Sequence, residues 1–181
     1  MRKPFDRKLY EKNDKIARDI AKKAFLNNYK YKLKDNEDIY GPDLEAFQDG
    51  AFLGYVEVEI KQYWKDYTKF PAKFLHIPHR KNKFIDYTVN PSTYVYGGNF
   101  PIVFCVFSAD LKAGFWIEGE DLSECPIIAK GNKYVDSEPF FDVPLSKMQY
   151  FLVEPVFNER DNNESVKSQS SQQVSTMRES V

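Results

Sequence analysis

No stretch of this 181-residue sequence approaches 18 consecutive apolar residues, so no membrane-spanning helix is expected. The first residues carry no apolar run, so a secretory leader is not expected either. Cysteine is scarce: Cys105 and Cys125 are the only two. One sits in an apolar strand-like run and the other precedes a proline, which argues against a disulfide scaffold and for a reduced, intracellular (cytoplasmic) protein. Histidine is equally rare. His76 and His79 form a His-x-x-His without a further ligand cluster, so a zinc site is not expected there. The 8 glycines form no glycine-rich phosphate loop, and there is no internal repeat.

The residues that are present describe one packed unit. With 42% hydrophobic and 16% aromatic residues, the chain can bury a single core. The net charge of −1 hides an asymmetry: residues 1–34 hold 12 basic and 4 acidic residues, the remainder 14 basic and 23 acidic. A basic segment beside an acidic body suits a phosphate-contacting surface next to an acidic metal pocket. From Asn158 onward there is no aromatic residue and Ser, Gln, Asn and charges dominate. Residues 158–181 are therefore expected to be a disordered tail after a folded domain at 1–157.

Periodicity predicts a helix over residues 6–28, where Ile16, Ile20, Ala24 and Ala17, Ala21 recur at helical spacing. Residues 29–34 alternate as a first strand. Residues 38–47 and 51–63 read as a hairpin around Gln48-Asp49-Gly50, since Asp-Gly favours a tight turn. Residues 64–73 read as irregular or briefly helical, ended by Pro71, and 76–83 as a basic loop or strand end offering Arg80, Lys81 and Lys83 to phosphate. Phe100 to Phe107 is a continuous apolar run, expected to be a strand buried on both faces. Residues 113–118 should pair with it, and 144–151 read as a short helix.

The stretch Gly54-Tyr55-Val56-Glu57-Val58-Glu59-Ile60-Lys61-Gln62-Tyr63-Trp64 carries the chemistry. It alternates as a strand does, so Val56, Val58 and Ile60 share one face, while Glu57, Glu59 and Lys61 share the other at intervals of about 7 Å. Carboxylates hold hard divalent cations such as magnesium. A neighbouring lysine can orient a water and stabilise charge on a phosphate. A second carboxylate, Asp43, stands upstream in Gly41-Pro42-Asp43. A regular two-residue turn at Asp49-Gly50 would place Asp43 opposite Val56, on the wrong face. Asp43 joins Glu59 and Lys61 only if the hairpin contains a bulge or an odd-length loop.

Pro42-Asp43 followed by Glu59-Ile60-Lys61 resembles the signature of the PD-(D/E)xK nuclease superfamily, which includes restriction endonucleases and Holliday-junction resolvases. The likeness spans roughly residues 10–120. Two other acidic-x-Lys triplets, Asp6-Arg7-Lys8 and Asp110-Leu111-Lys112, lack an upstream Pro-Asp. The resemblance implies a single-domain α/β fold, restriction-endonuclease-like, with a mixed central β-sheet flanked by helices. It implies a nuclease that uses Mg2+ or Mn2+ held by Asp43, Glu59 and the Ile60 carbonyl. Lys61 would position the attacking water, with Gln62 assisting and Glu57 either supporting the site or lying at the surface. The superfamily's first-helix acid maps onto Asp19, with Glu11 second. Lys22, Lys23, Arg80, Lys81 and Lys83 would bind nucleic acid, DNA being the expected kind, and the enzyme could work as a homodimer. The competing readings are a non-catalytic nucleic-acid-binding protein of the same fold, and a structural or assembly protein whose Glu57/Glu59 face is simply wet.

Overall fold

The computed structural model describes residues 7–38, 40–85, 101–131 and 137–154, with side-chain detail from Asn13 onward. The predicted C-terminal tail lies outside these residues. No helix among them is long and apolar enough to cross a membrane.

Helix α1 spans Arg7–Tyr29. Ala17, Ala21, Ala24 and Phe25 are buried along one stripe, and the small alanines let the helix lie close on a sheet. The helix runs past Asn27-Asn28 and closes at Lys30, in left-handed conformation at φ 62°. Lys30 N–H reaches Leu26 O, the single bond of an αL cap, and Tyr31 N–H reaches back to Phe25 O.

Strands β1 (Lys32–Asp35), β2 (Leu44–Gln48) and β3 (Ala51–Lys61) follow as an antiparallel meander. β4 (Phe74–Pro78) leads into a 3-10 turn at His79–Phe84. β5 (Ile102–Ser108) pairs parallel with β3, and β6 (Ala113–Glu118) pairs antiparallel with β5. A short helix α2 (Gly119–Ser123) precedes β7 (Ile127–Lys130), β8 (Glu138–Pro144) and β9 (Gln149–Leu152). The result is a mixed α/β arrangement: a six-stranded mixed sheet in the order β1-β2-β3-β5-β6-β9, and a three-stranded antiparallel sheet in the order β4-β8-β7.

β5 is the centre of the core, buried on both faces as its apolar run requires. Cys105 and Phe107 pack with Ala17, Ala21, Val56 and Val58 on the α1 side. Phe104 and Val106 pack with Trp64, Leu75, Ile77, Phe141 and Val143 on the other. Two expectations are corrected here. Among the described residues, the layer opposite α1 is mainly a second sheet, with only the five-residue α2 beside it through buried Leu122, because Leu75/Ile77 and Phe141/Val143 alternate inward as strands do. Residues 144–151 are a 3-10 turn at Leu145–Lys147 followed by β9.

Candidate functional site

The β2–β3 hairpin decides the site. Asp49 (φ 51°) and Gly50 (φ 85°) form its two-residue turn, and Gln48 pairs with Ala51, Phe47 with Phe52. The register then shifts: Ala46 pairs with Gly54 and Leu44 with Val56. One extra residue on β3 is a β-bulge. Leu53 is the extra residue, and Gly54 beside it stands at φ 153°; a Cβ there would lie 2.2 Å from Pro101 O, so only glycine fits. The shifted register carries Asp43 alongside Glu57, on the charged face of β3 instead of the apolar one. The bulge that the sequence demanded is present.

A polar loop fixes the Asp43 backbone. Asn36 N–H bonds to Asp43 O at 3.1 Å, and Asn36 Nδ2 bonds to Pro42 O at 2.9 Å. Asp43 N–H donates to Glu57 Oε2 at 3.3 Å, and Val58 N–H donates to Asp43 Oδ2 at 2.8 Å. Asp43, Glu57, Glu59 and Ile60 line one cleft of about 460 Å³, joined by Asp14 from α1, Tyr40 from the loop, and Arg80, Lys81 and Lys83 from the 3-10 turn.

Charge in and beside this cleft is concentrated and only partly balanced; Lys61 does not line the cleft but lies buried behind it, paired with Glu59. Glu59 Oε1 lies 2.9 Å from Lys61 Nζ, and that ammonium also donates to His76 O at 2.9 Å. Lys81 Nζ lies 3.0 Å from Glu57 Oε1 and 3.9 Å from Glu59 Oε2. Burial pulls the Glu59 carboxyl upward, but Lys61 and then Lys81 outweigh it and hold it below its ordinary value. Burial lowers the Lys61 ammonium, and Glu59 restores it only in part. For Lys81 the balance is reversed: burial lowers it, but Glu57 and Glu59 raise it further. Asp43 is the least compensated group. Burial first, then the charge of Glu57, lifts its carboxyl to about 7 against the pull of Val58 N–H and Lys81.

Asp43 and Glu57 share one corner and Glu59 reaches toward the lysines; among the described residues no three His, Cys, Asp or Glu side chains converge as a closed ligand set. The donors are hard oxygens in a cleft, and a buried carboxyl with so high a pKa is one that a cation would relieve. This chemistry fits magnesium or manganese. Asp43, Glu57 and Glu59 are the side chains that would hold it, and Ile60, whose carbonyl the resemblance implicates, lines the same cleft.

The first-helix assignment is corrected. Asp19 is exposed, its side chain 61% accessible and 4.0 Å from Lys22, because it lies about 200° around the helix from buried Ala17. Asp14 takes the inward place: it lines the cleft and adds to the upward push on Asp43. Its spacing three and seven residues before Ala17 and Ala21 was the available signal. The side chain of Glu11 lies outside the described residues. Glu57 is also promoted, from a possible surface charge to the buried partner of Lys81. Gln62 is exposed and does not line the cleft.

The expected phosphate-binding cations divide. Arg80, Lys81 and Lys83 line the cleft, with Arg80 also paired to Glu138 and Lys83 donating to Tyr40 O. Lys22 pairs with Asp35 at 2.6 Å and Lys23 pairs with Glu154, and neither lines the cleft. His76 contacts Asp142 at 3.0 Å, whereas His79 packs on Phe141, so the two imidazoles serve different neighbours. No family model, curated protein or solved structure matches this chain.

Proposed function

We propose that the chain is a metal-dependent nuclease of restriction-endonuclease-like type, hydrolysing phosphodiester bonds of nucleic acid, DNA in the first instance. The observation that carries this reading is the bulge at Gly54, which puts Asp43 on the face of Glu57, Glu59 and Lys61. A charged strand face with no role has no need of a strained glycine to recruit a third carboxylate. The order of elements supports part of that fold: a helix, an antiparallel meander and then a strand parallel to β3 give a mixed sheet backed by a helix on one face, whereas the PD-(D/E)xK resemblance implies a sheet flanked by helices and the other face carries mainly the second sheet.

In this mechanism Asp43, Glu57 and Glu59 would hold Mg2+, and the chemistry the ion would supply is polarisation of a phosphoryl oxygen and acidification of a water. Lys61 sits at the end of β3 with its charge disfavoured by burial. From its resting place paired with Glu59, outside the cleft lining, it would orient the attacking water and stabilise the negative charge that develops on the phosphoryl oxygens. Water oxygen bonds to phosphorus as the bond to the leaving oxygen breaks; the water gives up a proton to solvent, and the leaving oxygen takes one up from solvent, so the proton count is unchanged. Arg80 and Lys83 hold the flanking phosphates through contacts that weaken with salt.

A second reading has one observation in its favour. Lys61 and Lys81 already pair with Glu57 and Glu59, as expected of a non-catalytic nucleic-acid binder of the same fold. A panel of linear, branched and single-stranded DNA and RNA, incubated with the full chain in magnesium or in chelator, separates the two. Magnesium-dependent cleavage of any member supports the nuclease. Salt-sensitive binding without cleavage supports the binder, and neither would leave the site as a structural feature.

A further inference from the structure

Lys81 occupies a place that phosphate recognition alone does not explain. Its side chain is largely buried, and its Nζ stands 3.0 Å from Glu57 Oε1 and 3.9 Å from Glu59 Oε2. A positive charge therefore already sits among the oxygens that would take a divalent cation. Lys61 is tied down at the strand end by His76 O. Lys81 instead rides on a short 3-10 turn whose neighbours Arg80 and Lys83 line the same cleft. An ammonium and a divalent cation repel at such distances, and in a partly dry site the repulsion is poorly screened. A cation can enter only if Lys81 yields, and a displaced buried lysine needs another anion. The phosphodiester supplies one.

We propose that Lys81 is a positioning residue that makes divalent-cation binding and phosphodiester binding mutually dependent. It neutralises Glu57 and Glu59 in the substrate-free site and passes to the substrate phosphate when the cation takes its place. This rests on the metal-dependent reading above. Coupling of this kind is reciprocal: nucleic acid raises cation affinity by the factor by which the cation raises nucleic-acid affinity. The cleft is thereby kept from binding cations tightly until substrate is present.

The test is calorimetric titration of Ca2+ into the full chain, with and without a short oligodeoxynucleotide, for wild type, Lys81→Gln and Lys81→Arg. In wild type the oligonucleotide should raise Ca2+ affinity. Without it, Lys81→Gln should bind Ca2+ about tenfold or more tightly than wild type, and the oligonucleotide should add little. Lys81→Arg retains the charge and should behave as wild type. Should Lys81→Gln be unfolded without metal, Ca2+ restoring its circular dichroism supports the inference, and no restoration overturns it. Unchanged or weaker Ca2+ affinity in a folded Lys81→Gln overturns the role of Lys81 while leaving the metal site intact. No Ca2+ binding by any of the three, with or without oligonucleotide, overturns the metal-dependent reading itself.

Discussion

The two faces of β3 are both buried, yet they are buried in opposite ways. Val56 and Val58 press against the alanine stripe of α1, together with Cys105 and Phe107. That side gains stability from every apolar atom removed from water, at roughly 25 cal/mol per Å². Glu57 and Lys61 are as inaccessible as Val58, but removing charges from water costs several kcal/mol each before their pairing returns any of it. One strand thus carries a face that holds the fold together and a face that taxes it. Such an expense, concentrated in a cleft, is a common mark of a working site.

The strongest test of that contrast alters the charged face and leaves the apolar one alone. Glu59→Ala and Lys61→Ala should each slow cleavage in magnesium roughly a hundredfold or more, the usual consequence of losing one preorganised electrostatic group. Nucleic-acid affinity in calcium should stay within a few-fold of wild type, since phosphate contacts supply most of it. Paired single-turnover and binding measurements check this.

Next in size is the bulge. Gly54→Ala forces a Cβ onto Pro101 O and should cost about 2 kcal/mol or more in stability by denaturant unfolding. The same change should depress cleavage beyond what the lost folded fraction explains, because the register of Asp43 depends on it.

A smaller effect follows from Asp43. Its carboxyl is lifted from 3.8 to about 7 in the folded chain, so between these values the native state binds more protons than the unfolded state. Without metal, stability should therefore fall as pH rises from about 4 to about 7, and level off above. Asp43→Asn should be more stable than wild type at pH 8 in chelator by about 1 kcal/mol or more, with the gap closing near pH 4. Divalent-cation affinity of wild type should rise across the same interval, since the cation displaces a proton. Thermal melts with and without Ca2+ from pH 4 to 8 give both readings.

The expected legibility of this fold varied with how local its cause was. The Asp49-Gly50 turn, the doubly buried β5 run and the alternating faces of β3 depend on neighbours within a few residues, and each formed as its pattern required. The bulge was legible only as a condition, because Gly54 is needed through its contact with Pro101, far away in sequence. The second sheet was hidden. β4 lies between Pro71 and a run of basic residues, so its C-terminal half is legible only as a loop or strand end, and the inward pair Leu75 and Ile77 is too short an alternation to announce a sheet. Asp19 was chosen by a family pattern when the alanine stripe, followed back one turn, leads to Asp14. Lys81 was read as a surface phosphate contact because nothing in sequence ties residue 81 to residues 57 and 59.

The smallest effect sharpens the comparison from the outside. Asp19→Asn, on the exposed face of α1, should change stability by less than about 0.5 kcal/mol and leave cleavage unaltered. Asp14→Asn, one turn from the cleft's buried wall, should lower the pH at which cation affinity rises, since it removes a negative neighbour of Asp43.

The central claim is that the charged face of β3 exists for phosphodiester cleavage. Single-turnover cleavage in magnesium, with wild type and Glu59→Ala matched for folded protein, tests it most directly. The account predicts chelator-sensitive cleavage by wild type and a rate at least roughly a hundredfold lower in the variant. Equal rates in the two proteins, or no cleavage by wild type of any substrate in the panel, would contradict it.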